Sequence, residues 1–154
     1  MYRKIEAGLL DWKNRMEDRR PLLLHGARQV GKTYILNKFG ESHYRNTVYV
    51  NMETNQAAAR YFEGDINPVR LIRFLEAEAG AVVTPGETLI ILDEIQLSER
   101  ALNSLKYFCE NAPQYHVAAA GSLLGVAINR NRYSFPVGKV ESVTLYPMDL
   151  AFQL

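Results

Sequence analysis

The segment LLLHGARQVGKTYIL, residues 22–36, decides the fold, because it places two glycines, a lysine and a threonine between two apolar runs. Residues 26–33 match the phosphate-loop (Walker A) pattern G-x-x-x-x-G-K-[ST] without substitution. An apolar strand before this pattern and a helix after it aim the free N–H groups and the positive dipole end of the helix at the loop. The segment therefore predicts a turn that surrounds the phosphates of a nucleotide.

Each residue of this turn has an expected role. Lys32 is expected to lie against the β- and γ-phosphates, and the Thr33 hydroxyl to take one position on Mg²⁺. The alternative is a glycine-rich turn between a strand and a helix, with an exposed lysine. The residues expected to bind the nucleotide are Gly26, Ala27, Arg28, Gln29, Val30, Gly31, Lys32, Thr33 and Tyr34.

A second motif is a pair of acids at the end of an apolar run, LIILDEIQ, residues 89–96. We expect Asp93 to hold Mg²⁺ through its water shell and Glu94 to polarise an attacking water. Burying two adjacent acids is costly unless a cation or hydrogen bonds meet them, which argues against a purely structural pair. A glutamate at this position favours hydrolysis over transfer of phosphate to a bound acceptor.

Length and composition set the scale. The 154 residues are 47% hydrophobic, which suits one domain with a sizeable core. A formal charge of +1 excludes a global field that would demand a polyanionic partner. The single cysteine, Cys109, has apolar neighbours and predicts a buried thiol in a reducing compartment. No apolar run is long enough for a membrane span, so we expect a cytoplasmic protein that binds no membrane.

Strand and helix patterns alternate along the chain, which predicts an α/β fold with a mostly parallel sheet and helices on both faces. We expect Gly40 to end the helix that follows Gly31, and a polar connection between residues 53 and 68. Expected helices cover 3–16, 31–39, 68–80 and 98–112, and expected strands lie within 19–26, 47–53, 85–94, 115–122 and 139–147.

These motifs together resemble those of the AAA+ ATPases. Within them, the chain is similar to bacterial and archaeal ATP-binding proteins that join an AAA-type domain to a C-terminal nuclease-like domain. The resemblance implies that the loop binds ATP with Mg²⁺, and that a P-loop NTPase three-layer α-β-α sandwich has a five-stranded sheet of order 5-1-4-3-2. The phrases that carry it are LLLHGARQVGKTYIL, VNME, TLIILDEIQ, LNSLKYFCE, AAGSLLGV and SFPVGKVESVTLYPMDLAFQL.

The resemblance also implies a division of the chain. An N-terminal helix in residues 1–20 would pack on an ATPase core formed by residues 21–154. Because LYPMDLAFQL stays apolar up to the last residue, we expect this chain to be the N-terminal part of a longer polypeptide.

Further site residues follow from the resemblance alone. Ser122, after Gly121, resembles the sensor residue that approaches the γ-phosphate, and its alternative is a strand-ending turn. Asn51 is similar to the polar residue that in some AAA+ proteins hydrogen-bonds the catalytic glutamate, and its alternative is a local cap. Ser122 and Asn51 therefore join Glu94 and Lys32 as expected catalytic residues.

An arginine from a neighbouring subunit usually completes an AAA+ site, which implies a homo-oligomer. Arg130 and Arg132 are candidates, with Lys139 as a third basic group, and solvated loop charges are the alternative. Arg28 could instead reach Asp93 or Glu94, or contact a partner.

Three functions remain open at this level. The first is Mg²⁺-dependent ATP hydrolysis that drives conformational change in a larger protein. The second is a nucleotide-dependent switch with negligible turnover. The third is the ATPase part of a nucleic-acid-acting or defence protein, in which Tyr133 and Phe135 of the basic segment NRNRYSFPVGK would stack on bases. The alternative, which the near-zero net charge favours, is that these two rings pack the loop.

Overall fold

Five parallel strands form one sheet in the computed structural model, which describes residues 2–26, 31–122 and 138–145. Their order is β2-β3-β4-β1-β5, which is the expected order 5-1-4-3-2 followed from the opposite edge. Every neighbouring pair is parallel. The strands are β1 (Leu22–Gly26), β2 (Asn46–Asn51), β3 (Thr88–Asp93), β4 (His116–Ser122) and β5 (Glu141–Leu145).

Helices connect β1 to β2, β2 to β3 and β3 to β4, and they cover both faces of the sheet, as the alternating sequence pattern predicts. A single 3₁₀ turn, Ile95–Leu97, lies between β3 and the last helix of the described residues. The α-helices are α1 (Tyr2–Asn14), α2 (Lys32–His43), α3 (Gln56–Gly64), α4 (Pro68–Ala79) and α5 (Glu99–Asn111). None of the helices in the described part of the chain combines the length and the apolar character of a membrane span.

The core has two halves, one on each face of the sheet, because successive side chains of a strand point to opposite faces. Helices α1 and α2 pack on one face, where buried residues include Leu9, Trp12, Leu22, Leu24, Ile35, Leu36, Phe39, Leu89 and Ile91. Helices α3, α4 and α5 pack on the other, where they include Leu23, Val48, Val50, Phe62, Leu71, Leu75, Ile90, Leu92, Leu105 and Phe108. The three-layer α-β-α prediction is confirmed.

Helix α2 does not end at Gly40, as the sequence predicts, but continues to His43. Gly40 is buried against the sheet, and a Cβ there would lie 2.5 Å from Thr47 Oγ1 and 3.3 Å from Leu89 Cδ2. The glycine therefore permits close packing of α2 on the sheet and does not terminate the helix.

The polar connection expected between residues 53 and 68 contains a helix, α3. The Asn55 side chain accepts a hydrogen bond from the Ala58 amide, and Ala58 and Phe62 are fully buried at helical spacing. Two apolar residues one turn apart are too weak a pattern to predict a nine-residue helix.

Helix α5 begins as the sequence predicts, because the Ser98 hydroxyl accepts a hydrogen bond from the Ala101 amide at 3.0 Å. The prediction for Cys109 is wrong in degree, since its thiol is half-buried and not fully covered. The apolar neighbours Phe108 and Leu105 face the core, and Cys109 lies one position off that stripe.

Candidate nucleotide-binding site

The carboxyl ends of four strands bring the predicted site residues to one edge of the sheet. In the strand register, Asn51 of β2 is opposite Asp93 of β3, and Gly26 of β1 is opposite Ser122 of β4. Residues separated by up to about 100 positions therefore lie along one line. In open parallel sheets, ligands bind outside this edge.

The phosphate loop needs a glycine at position 26 and at position 31 for two different steric reasons. A Cβ on Gly26 would overlap the carbonyl oxygen of Leu145, because β1 and β5 are neighbours here. Gly31 has φ 85° and ψ 20°, a left-handed conformation that side chains disfavour. Residues 27–30 (Ala27, Arg28, Gln29 and Val30) lie outside the described residues, so their expected contacts stay predictions.

Helix α2 starts immediately after Gly31, and no side chain of the described residues caps its first turn. The N–H groups of its first turn have no acceptor within the helix, and together with the positive dipole end they suit an anion. Thr33 and Tyr34, in this first turn, are exposed, and the Tyr34 side chain has an exposed fraction of 63%.

Lys32 places a buried cation in this turn. Only 8% of its surface is exposed, and its Nζ donates a hydrogen bond to the Gly26 carbonyl oxygen at 3.4 Å. The side chain therefore reaches back to the end of β1. A buried ammonium beside the N-terminus of a helix is an electrostatic environment that suits a phosphate chain.

Asp93 is anchored by several hydrogen bonds. It is 3% exposed, and its Oδ2 accepts hydrogen bonds from the Thr33 hydroxyl at 2.7 Å and from the Tyr49 hydroxyl. Its Oδ1 accepts a hydrogen bond from the Glu94 amide at 2.9 Å. These donors offset the cost of burying the carboxylate and fix its orientation.

Tyr49 is a site residue that sequence reasoning missed. Burial, followed by the hydrogen bond to Asp93, raises the pKa of Tyr49 to about 12. The hydroxyl therefore stays protonated at neutral pH and donates a hydrogen bond to Asp93. Alternation along β2 buries Val48 and Val50 on one face and sends Tyr49 to the face covered by α2. The alternation of β2, together with the hydroxyl group on the Tyr49 ring, is the sequence signal from which this residue could have been predicted.

Glu94 is held differently from its neighbour. The strand ends at Asp93, and Glu94 has φ 53° and ψ 43°, so strand alternation does not set its direction. Its Oε2 accepts a hydrogen bond from Gln96 Nε2 at 2.9 Å, and Gln96 Oε1 accepts one from the Ser122 amide at 3.3 Å. Gln96 was also missed by sequence reasoning, because a glutamine in a short turn has no pattern of its own.

Asn51 has the contacts of a local cap. Its Oδ1 accepts hydrogen bonds from the amides of Glu53 at 2.8 Å and Thr54 at 3.2 Å. Its Nδ2 lies 3.4 Å from the Tyr49 hydroxyl. The expected catalytic roles of Asn51 and Ser122 stay predictions.

Thr33 and Asp93 fit a magnesium ion by their chemistry. Their Oγ1 and Oδ2 atoms are 2.7 Å apart, and both are the hard oxygen donors that Mg²⁺ prefers. The described residues contain no cluster of three or more histidine, cysteine or acidic residues suited to a metal.

The candidates for a basic group acting on a neighbouring subunit are only partly described. Arg130 and Arg132 lie outside the described residues, as do Tyr133 and Phe135. Lys139 precedes β5 and forms an ion pair with Glu110 at 3.3 Å.

Comparisons with known proteins agree with this architecture. A family model described as an AAA domain matches residues 18–152. The solved structure of the Thermotoga maritima RuvB Holliday junction branch migration motor superposes with a TM-score of 0.55 at 17% identity, and a single-residue variant of it with 0.53 at 17%. Both alignments cover 94% of this chain and 43% of the motor. Because the identity is only 17%, they show the fold alone. No curated protein matches the sequence. Because the family model covers most of its length, the chain belongs to the AAA domain family.

Proposed function

We propose that this chain is a Mg²⁺-dependent ATP-binding and ATP-hydrolysing domain that drives conformational change in a larger protein. The observation that carries the proposal is the contact between Thr33 of the phosphate loop and Asp93 at the end of β3, 2.7 Å apart. It joins the two sequence motifs at the edge where ligands bind in parallel sheets. Membership of the AAA domain family supports nucleotide binding independently of this contact.

The proposed reaction is attack of water on the γ-phosphorus, in line with the bridging oxygen that leaves with ADP. Glu94 orients the water and accepts its proton as the new P–O bond forms and the P–O bond to ADP breaks. The Lys32 ammonium and the N–H groups of α2 face the charge that develops on the phosphate oxygens. A bound Mg²⁺, held by Thr33 and Asp93, would neutralise charge on the phosphates.

Titration calorimetry with ATP, ADP and GTP, each with and without Mg²⁺, tests this proposal. We expect measurable heat for ATP and ADP and tighter ATP binding with Mg²⁺. Preference for ATP over GTP is an expectation from the AAA+ resemblance. Absence of heat with every Mg²⁺–triphosphate, in protein shown to be folded by circular dichroism, would contradict the proposal.

Single-turnover hydrolysis at high protein concentration separates an ATPase from a nucleotide-dependent switch. Release of phosphate from bound ATP at a rate within a few decades of the usual enzyme range, about 1–10³ s⁻¹, supports the ATPase. An ATP complex that persists unchanged supports the switch, in which the bound state recruits a partner.

The proposed partners are ATP and ADP, a further domain C-terminal to this one, and further copies of the chain. RuvB is described as a Holliday junction branch migration motor, which makes nucleic acid a partner to test. Binding to single-stranded DNA that weakens with added salt would support the nucleic-acid alternative. No binding even at low salt would remove it.

A further inference from the structure

The side chain of Gln96 joins two parts of the candidate site. Its Nε2 donates to Glu94 Oε2 at 2.9 Å, and its Oε1 accepts from the Ser122 backbone amide at 3.3 Å. Glu94 is the expected general base, and Ser122 ends β4 beside the end of β1. One side chain therefore connects the end of β3 to the end of β4.

The backbone around Gln96 is fixed, so its side chain starts from a defined place. Ile95 is fully buried in the core, and the Leu97 amide donates to the Glu94 carbonyl oxygen at 3.1 Å. Glu94 adopts a left-handed conformation with φ 53°, which a residue with a Cβ disfavours. This turn brings the side chains of Glu94 and Gln96 to the same side, where their hydrogen bond forms.

The chemistry of an amide explains why a glutamine suits this position. A carboxylate such as Glu94 only accepts hydrogen bonds, and a backbone amide such as that of Ser122 only donates one. A glutamine side chain offers a donor and an acceptor together, and so can satisfy both partners at once. A purely local contact within the turn would not include β4.

We propose that Gln96 is a positioning residue for ATP hydrolysis, which holds the Glu94 carboxylate in one orientation relative to the end of β4. This inference rests on the proposed function. The sequence resemblance gives the role of contacting the glutamate to Asn51, but the described hydrogen bonds of Asn51 go to its own turn and to Tyr49. Through its hydrogen bonds to Glu94 and Ser122, Gln96 fixes the Glu94 carboxylate relative to the end of β4. Glu94 then orients the attacking water toward the γ-phosphate.

Two substitutions separate the contacts. Gln96→Met preserves most of the side-chain volume and removes the hydrogen bonds to Glu94 and Ser122. Gln96→Glu keeps an oxygen that can accept from Ser122, but loses the donor and places a second carboxylate beside Glu94. Gln56→Met is the matched control, since Gln56 is exposed at the start of α3.

We expect kcat to fall roughly 10- to 100-fold in both Gln96 variants, the range for losing a hydrogen bond to a charged group. The dissociation constant for ATP and the thermal midpoint should stay within experimental error of the unmodified protein, as in Gln56→Met. In a Glu94→Gln background, Gln96→Met should cause no further loss of single-turnover rate, because Gln96 acts through the carboxylate.

Unchanged kcat in both Gln96 variants would overturn the inference, and so would equal losses in the two Glu94 backgrounds. An increase of kcat would overturn it too, because Gln96 would then restrain Glu94 and not align it. These results differ from failure of the proposed function, in which the unmodified protein itself would hydrolyse no ATP and both statements would fall.

Discussion

The parallel strands begin along one side of the sheet, here called the amino edge, and end along the opposite side, here called the carboxyl edge. These two sides carry polar clusters of opposite character. At the amino edge, the Tyr44 hydroxyl and His116 Nδ1 are hydrogen-bonded at 2.7 Å, and the Trp12 ring lies edge-on to His116. Burial, followed by the charges of Arg19 and Lys13, lowers the pKa of His116 to about 4. Tyr44 and His116 are therefore both neutral at neutral pH and hydrogen-bonded to each other.

At the carboxyl edge, by contrast, the buried groups are charged. Lys32 and Asp93 are both buried, and Glu94 follows immediately in a left-handed turn. Burial of charge is costly without partners, and it is retained where a ligand makes use of it. The same strands thus contribute to stability at their beginnings and to the site at their ends, and variants at the two edges should separate stability from function.

Replacing Glu94 by glutamine should have the largest effect. Loss of the general base is expected to lower single-turnover hydrolysis by about 10²–10⁴-fold, while ATP still binds. Glu87→Gln is the matched control, because Glu87 precedes β3 at the amino edge and pairs only weakly with Arg45, at 3.9 Å. Phosphate release by Glu94→Gln at the rate of the control would contradict the proposed role.

Lys32→Ala should come next and act on binding. We expect ATP affinity to fall about 100-fold, since one charge-assisted contact with phosphate is lost, and calorimetry measures this directly. Lys13→Ala removes a cation from the amino edge, where Lys13 lies over the Tyr44 ring, and should leave ATP affinity unchanged. Equal ATP affinities in Lys32→Ala and Lys13→Ala would mean that the two edges do not differ in this way.

The amino edge should instead control stability in acid. Because the pKa of His116 is about 4 in the folded chain and 6.5 ordinarily, the unfolded chain takes up a proton first as the pH falls. The free energy of unfolding should therefore decrease between pH 6.5 and 4 by roughly 3 kcal/mol from this group, and the contribution of His116 should change no further below pH 4.

Urea denaturation at several pH values measures this effect, and His116→Gln is the comparison. The variant should lose this part of the pH dependence while its ATP affinity at pH 7 stays the same. If both proteins lose the same free energy of unfolding between pH 6.5 and 4, buried neutral His116 is not the cause.

Sequence could predict the site where local pattern and strand topology suffice. An apolar strand ending in polar residues places Gly26, Asp93 and Ser122 at one edge, because parallel strands all end on the same side. Contacts made by side chains from different strands and helices are not visible in one sequence. Tyr49 and Gln96 escape prediction for this reason, and Gly40 looks like a helix end because its packing against Thr47 of β2 and Leu89 of β3 is not visible in the sequence.

The smallest effect is expected for Tyr49→Phe, which tests how firmly the carboxyl edge holds Asp93. The variant keeps the ring and removes one of the two hydroxyl donors to Asp93 Oδ2, Thr33 being the other. We expect the free energy of unfolding to decrease by about 1 kcal/mol. Because Asp93 then has more freedom, the Mg²⁺ concentration needed for half-maximal enhancement of ATP binding should rise roughly 3- to 10-fold.

Tyr107→Phe is the control, since Tyr107 is exposed on α5. Calorimetric ATP titrations at a series of Mg²⁺ concentrations give the readout without relying on turnover. A Tyr49→Phe protein that is less stable but has an unchanged Mg²⁺ requirement would place Tyr49 with the amino-edge cluster, as a residue that stabilises the fold and does not position Asp93.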